Sequence, residues 1–176
     1  MHNIEVKLLD ERVAGRLAYA SENAAGIDLR ACTYSFGGRP FVPISEGFCV
    51  KLFPGDRCRI GSGIAIHIGS CLCSFADAVN VSVKQTYAGI LLPRSSIGTK
   101  FDVQLANTIG LIDADYQGEV VMALRNTGDD IFEIRALDRI TQLVIVPIIQ
   151  ADLTIVEEFS NDTARKAGGF GSTGTN

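Results

Sequence analysis

The chain has 176 residues, enough for one domain with a core of its own. Its formal net charge of −4 leaves no broad basic face, which excludes a duplex nucleic-acid binder and leaves room only for a local anion pocket. No apolar run approaches a membrane span, and Met1 to Glu5 lack the charged-then-apolar order of a signal peptide, so a cytoplasmic protein without membrane association is expected.

In chain order, the strand signals dominate. Ile4 to Leu8 alternates between apolar and polar residues, and so does Val79 to Val83. Val120 to Leu124, Ile131 to Ile134, Leu143 to Val146 and Leu153 to Val156 are short, apolar and rich in β-branched residues, and read as further strands. Turn chemistry separates them at Pro54-Gly55-Asp56, Asp115-Tyr116-Gln117-Gly118 and Asn126-Thr127-Gly128-Asp129. No stretch sustains a helical period, and Ser95 to Thr99 holds at most one short helix with Ser95 near its N-cap. Thr33 to Phe53, Gly69 to Ala78 and the tail after Phe159 read as irregular. The expected class is an all-β, jelly-roll-like barrel of short strands.

The cysteines, Cys32, Cys49, Cys58, Cys71 and Cys73, are odd in number and carry no secretion signal, which favours free thiols. Cys71-Leu72-Cys73 is too short for a zinc knuckle, and His67 is most simply a strand residue. At 47 % hydrophobic residues, the chain is apolar for a lone subunit, which suggests apolar surface buried between copies.

Five segments carry candidate chemistry. In Ala24 to Ala31, Ile27 and Leu29 share one strand face, and Asp28 takes the other, where it can meet a metal's water shell or an arginine. Arg94-Ser95-Ser96 follows the apolar Ile90-Leu91-Leu92 at a candidate helix start, a favourable place for an anion. Asn107 to Gly118 packs Asp113, Asp115, Tyr116 and two glycines into what fits a hairpin able to read a base edge and wall off a sugar. Arg139 and Gln142 stand at the mouth of a core strand. At the end of the chain, Arg165 and Gly168 to Gly174 form a glycine-rich, hydroxyl-bearing tail suited to covering phosphates. Gly169 to Gly174 also spells G-x-G-x-x-G, but no strand, helix and acid follow in the order that a dinucleotide site needs.

Taken in this order, the segments resemble the trimeric deoxyuridine triphosphatase (dUTPase) family. The resemblance rests on Ala25-Gly26-Ile27-Asp28-Leu29, Pro93-Arg94-Ser95-Ser96, Gly110 to Gly118, Arg139-Ile140-Thr141-Gln142-Leu143, and Arg165 with Gly168 to Gly174. It implies a homotrimer with sites at subunit boundaries that converts dUTP to dUMP and pyrophosphate with Mg²⁺. By that resemblance Asp113 is the general base. Tyr116 packs on the deoxyribose, and Asn107, Gly110 and Ile112 belong to the base-reading segment. Arg94, Ser95 and Ser96 hold phosphates, with Gln142 and Arg139 at the phosphate side. Asp28 contacts the magnesium's waters. Arg165, Phe170, Gly171, Ser172 and Thr173 close from another subunit, with Phe170 over the uracil.

The expected organisation is a β domain over residues 1–159 and a flexible glycine-rich arm over 160–176 that closes on a neighbouring subunit's site. Thr33 to Phe53 and Gly69 to Gly89 are longer than the family's usual connections, and a protein partner docking on one of these inserts is an expectation. Two other functions are weighed: a dCTP deaminase of the same fold, and a nucleotide-sensing regulatory protein acting through its inserts. Asp113-Ala114-Asp115-Tyr116, where the deaminases have Asp-Pro-Gly-Phe, favours the hydrolase over the first. The full set of hydrolytic residues favours it over the second.

Overall fold

The structure is a computed structural model that describes residues 3–69, 85–164 and 166–167. The described strands are β1 (Glu5–Leu8), β2 (Ile27–Arg30), β3 (Thr33–Ser35), β4 (Val42–Pro43), β5 (Cys49–Leu52), β6 (Arg57–His67), β7 (Gln85–Pro93), β8 (Val103–Leu105), β9 (Gly110–Ile112), β10 (Glu119–Asn126), β11 (Phe132–Arg135) and β12 (Arg139–Ile149). One helix, α1 (Ser95–Phe101), lies between β7 and β8. Among the described residues no helix is long and apolar enough to cross a membrane.

The strands form three sheets. The largest runs β4-β3-β6-β10-β8, with β1 also on β6; the second runs β2-β12-β7-β9; β5 and β11 pair by themselves. Period-two patterning builds the core. Along β10, Val120, Met122, Leu124 and Asn126 are buried, while their neighbours are more exposed. They meet Leu29, Ile60, Ile64, Leu91, Ile134 and Ile140 from the other strands. Asn126 is the polar member of this row and is satisfied in place. Its Nδ2 donates to the Leu52 and Asp130 carbonyls at 2.9 and 2.7 Å, and its Oδ1 accepts from the Gly128 amide at 3.0 Å.

Several expectations are corrected. Thr33 to Phe53 is not irregular. It holds β3, β4 and β5, and buries Ser35, Ile44, Val50 and Leu52. Arg12 ties this region down by donating to the Ile44 carbonyl at 2.8 Å while it pairs with Asp10. Leu153 to Val156 is not a strand: none of the described strands pairs with it, and Leu153 and Ile155 are 93 % and 99 % exposed. An alternating sequence makes a strand only where an edge receives its backbone hydrogen bonds. The α1 N-cap is Arg94, whose side chain makes no capping bond, so Ser95 is the first helical residue. Val79 to Val83 and residues 70–78, Cys71 and Cys73 among them, lie outside the described residues.

Candidate active site

Two sites emerge at different places on the second sheet. The first is a pocket of about 240 Å³ lined by Leu91, Asn107, Gly110, Ile112, Asp113, Tyr116 and Glu119, among others. Its floor depends on a glycine: a Cβ on Gly110 would lie 2.9 Å from the Leu91 Cβ, so only glycine lets β9 lie this close on β7. Its wall is Tyr116, whose hydroxyl donates to the Glu119 carbonyl at 2.8 Å. Gly118 makes room for that ring, since a Cβ there would sit 2.5 Å from the tyrosine oxygen. The turn between β9 and β10 closes through the Tyr116 amide on the Asp113 carbonyl at 3.2 Å. Asp113 is exposed on this rim and also borders a second cavity of about 480 Å³ with Tyr87, Ile148 and Gln150. Contrary to the hairpin reading, β9 and β10 do not pair with each other. β9 is taken by β7 and β10 by β6 and β8, so the segment bridges two sheets.

The second site is charged. Asp28 is only 8 % exposed, which overturns the alternative of a solvated strand carboxylate. Arg94 Nε lies 3.0 Å from its Oδ1, Arg139 Nη1 lies 3.1 Å from its Oδ2, and Gln142 Nε2 donates to Oδ1 at 3.4 Å. The Arg94 contact is an ion pair rather than an aligned hydrogen bond, for Nε is buried without a hydrogen-bond partner. A bulge makes the convergence possible. β12 pairs Arg139 with Arg30 and Thr141 with Leu29, which leaves Ile140 as the extra residue. In a regular strand Arg139 and Gln142 would point to opposite faces; the inserted residue restores both to the face of Asp28. Ser95 is exposed and Ser96 half-buried in the first turn of α1, beside Arg94.

The structure thus gathers Asp28, Arg94, Arg139 and Gln142 in one cluster and Asn107, Gly110, Ile112, Asp113 and Tyr116 in one pocket. It does not bring the two together. β7 pairs Gly89 with Ile112, while Arg94 follows its far end at Pro93, a separation of roughly 17 Å by strand rise, with Asp113 farther still. Arg165, Phe170, Gly171, Ser172 and Thr173 lie outside the described residues. Sequence reasoning missed Arg30 and Glu119. Glu119 Oε1 accepts from the Gly63 amide at 2.9 Å, where β10 shifts register on β6, so it supports the pocket wall from below.

The donors do not form a protein cage for Mg²⁺. Among the described residues no three His, Cys, Asp or Glu side chains converge, and both Asp28 oxygens already face arginines. Asp28 is in contact with arginine, one of the two roles open to a carboxylate on this strand face. The cysteines are poor candidates for chemistry: burial pushes the Cys32 thiol up to about 12 and the Cys58 thiol up to about 11, so both are protonated at neutral pH.

A dUTPase family profile matches residues 64–174. A deoxyuridine 5′-triphosphate nucleotidohydrolase of Azoarcus sp. is 42 % identical, with 99 % of each chain covered. One from Paraburkholderia phytofirmans is 40 % identical over 97 % of each. Among solved structures, a mutant Staphylococcus bacteriophage 80alpha dUTPase with dUpNHpp superposes with a TM-score of 0.73 at 23 % identity, covering 99 % of each chain. A mutant dUTPase from phage phi11 of S. aureus, described with a structural Mg(II) ion, gives 0.64 at 21 % identity over 90 % of this chain and 99 % of that one. The chain belongs to the dUTPase family. Its fold is the mostly-β, jelly-roll-like fold that the sequence leads one to expect.

Proposed function

We propose that this protein hydrolyses dUTP to dUMP and pyrophosphate at a site shared between copies of the chain in a homotrimer. The observation that carries the reading is the separation along β7. The pocket offers a cavity smaller than the ~300–1,000 Å³ typical of ligand sites, lined by two carboxylates, Asp113 on its rim and Glu119 tied to the Gly63 amide, and by no cation. The cluster offers guanidinium groups for phosphates. A general base must stand within hydrogen-bond reach of its water, and that water must reach a phosphorus. Within one chain the two halves are too far apart for this. A neighbouring copy that places its cluster against this pocket resolves the conflict.

Two further features support assembly. On the second sheet, Leu111, Ile90 and Val144 lie in one register row; Leu111 is 64 % exposed and the other two are half-buried. β12 then continues into Ile149, Leu153, Ile155 and Phe159, all largely exposed. An exposed apolar row and an apolar arm with no partner among the described strands both call for another copy.

In the assembled site the uracil and deoxyribose enter the pocket, with Asn107 and the β9 backbone facing the base and Tyr116 excluding a ribose 2′-hydroxyl. Asp113 holds a water and takes its proton as oxygen bonds to the α-phosphorus and the bond to the bridging oxygen breaks. Arg94, Arg139, Ser95, Ser96 and Gln142 hold the phosphates and stabilise the charge that passes to the leaving pyrophosphate. Asp28 would face the waters of a Mg²⁺ ion bound with the triphosphate, which would offset part of the phosphate charge without a protein cage. The arm beyond residue 160, with Arg165, Phe170, Gly171, Ser172 and Thr173, closes over the nucleotide.

Pyrophosphate release is measured with dUTP, UTP, dCTP and dTTP, with and without Mg²⁺; release from dUTP alone is expected, and equal release from UTP or ammonia from dCTP would overturn the reading. The shared site has its own test. Asp113→Asn and Arg94→Gln chains, each inactive alone, are unfolded together and reassembled. With equal random mixing, about a quarter of the sites regain both intact halves. No recovery, or a monomer by light scattering, would overturn it.

A further inference from the structure

β2 carries a second charged residue on the outward face, two positions from Asp28. Arg30 stands directly opposite Arg139 in the β2–β12 register, and buried Leu29 lies between Asp28 and Arg30 on the other face. Like charges paired across antiparallel strands are destabilising. Here the conflict is not relieved locally. Asp28 is the one carboxylate ion-paired to the group among the described residues, and Arg94 and Arg139 already share it. Arg30 donates from Nη1 to the Leu137 carbonyl at 2.9 Å, but its Nε is buried without a partner.

Burial, with repulsion from Arg16, Arg139 and Arg94, lowers the Arg30 pKa against a single pull from Asp28. An arginine stays charged even so. Arg94 and Arg139 thus share one carboxylate, and Arg30 stands on the same strand face directly opposite Arg139 with no carboxylate of its own. A chain that keeps such a conflict keeps it for a ligand. The charge excess also indicates which ligand. A single phosphate is matched by Arg94 and Arg139, which Asp28 already offsets in part. The additional charge of Arg30 is useful only to a longer polyphosphate.

We propose that Arg30 is a further anion-binding residue of this site, which holds the distal phosphates of the nucleotide and the pyrophosphate after cleavage. The proposal rests on the dUTP-hydrolysing reading for its ligand, and on the arginine geometry for its location.

The test is a ladder of ligands: dUMP, dUDP, the non-hydrolysable dUpNHpp, and inorganic pyrophosphate, titrated calorimetrically into wild-type, Arg30→Gln and Arg30→Lys proteins. Losing one charge-assisted contact weakens dUpNHpp and pyrophosphate about tenfold in Arg30→Gln, with dUMP changed less than about twofold. Arg30→Lys, which keeps the charge and loses the fork, restores part of the loss. Equal losses for dUMP and dUpNHpp would mean that Arg30 acts only by clamping the Leu137 turn, and would overturn the proposal. So would an unchanged ladder in Arg30→Gln. A wild-type protein that binds pyrophosphate but no uracil nucleotide would overturn the dUTP reading and uphold the anion site.

Discussion

The nucleoside pocket and the guanidinium cluster solve opposite problems by opposite means. The pocket is local. Apart from Leu91 and Val121, its lining falls between Asn107 and Glu119, and its shape is set by sterics: Gly110 against Leu91, Gly118 against Tyr116. The cluster is non-local. Asp28, Arg94 and Arg139 come from three separate segments and meet only because β2, β12 and β7 are neighbours in one sheet. The pocket uses shape, which is specific and carries little charge. The cluster uses charge, which is strong, suits any phosphate, and stores repulsion when no anion is present. On the proposed reading, selectivity for the base and affinity for the phosphates reside in different parts of the fold, and each can be damaged without the other.

The sharpest break of this division is Asp113→Asn. Asp113 stands on the pocket's rim, exposed and without an ion pair among the described residues, so the change removes a proton acceptor and little else. Loss of a positioned general base lowers turnover by about 10²–10⁴-fold. Binding of dUpNHpp should stay within about threefold of wild type. Single-turnover pyrophosphate release and calorimetry measure the two effects. Normal turnover in this variant would show that Asp113 is not the base.

Asp28→Asn breaks the other region. It leaves Arg94 and Arg139 without their carboxylate at a position where Asp28 itself is buried. Removing one partner of a buried ion pair costs about 3–5 kcal/mol; here the value falls toward the lower end, because Arg139 is 45 % exposed and water screens it. Phosphate in the buffer should recover much of the loss in melting temperature, since the anion replaces the missing charge. A variant as stable as wild type, or one indifferent to phosphate, would show that the cluster stores no repulsion.

This contrast also explains what could be read from the sequence. The pocket was legible because its residues are adjacent in the chain: Asp113, Tyr116 and the flanking glycines form one dense stretch. Asp28, Arg94 and Arg139 were each legible as candidates, but their ion pairs were not, because register and the Ile140 bulge decide them. No local pattern signals a bulge there; Ile140 reads as an ordinary core residue. The conflict between Arg30 and Arg139 was hidden for the same reason. Thr33 to Phe53 looked irregular because Gly37, Gly38 and Pro40 dominate its middle, and those turn residues masked the short strands on either side. Leu153 to Val156 misled in the opposite direction: its pattern is that of a strand, and the edge it would need is not among the described strands of this chain.

The subtlest test of the comparison separates steric from polar control within the pocket. In Gly118→Ala the new methyl would sit 2.5 Å from the Tyr116 oxygen and 2.7 Å from its Cζ, so the ring must swing away. Displacing this wall should weaken dUMP binding about tenfold, a value in line with a lost packing contact of about one to two kcal/mol. It should also narrow the preference for dUTP over UTP, because the ring no longer occupies the space of a 2′-hydroxyl. Pyrophosphate binding, which depends on the distant cluster, should not change. Tyr116→Phe keeps the ring and removes only its hydrogen bond to the Glu119 carbonyl, worth about 0.5–1.5 kcal/mol. The phenyl ring still fills the space above Gly118, so the dUTP preference should persist while affinity falls by no more than a few fold. If Tyr116→Phe lost discrimination as fully as Gly118→Ala, the hydroxyl rather than the ring face would be what tells deoxyribose from ribose, and control by shape in this pocket would give way to control by hydrogen bonding.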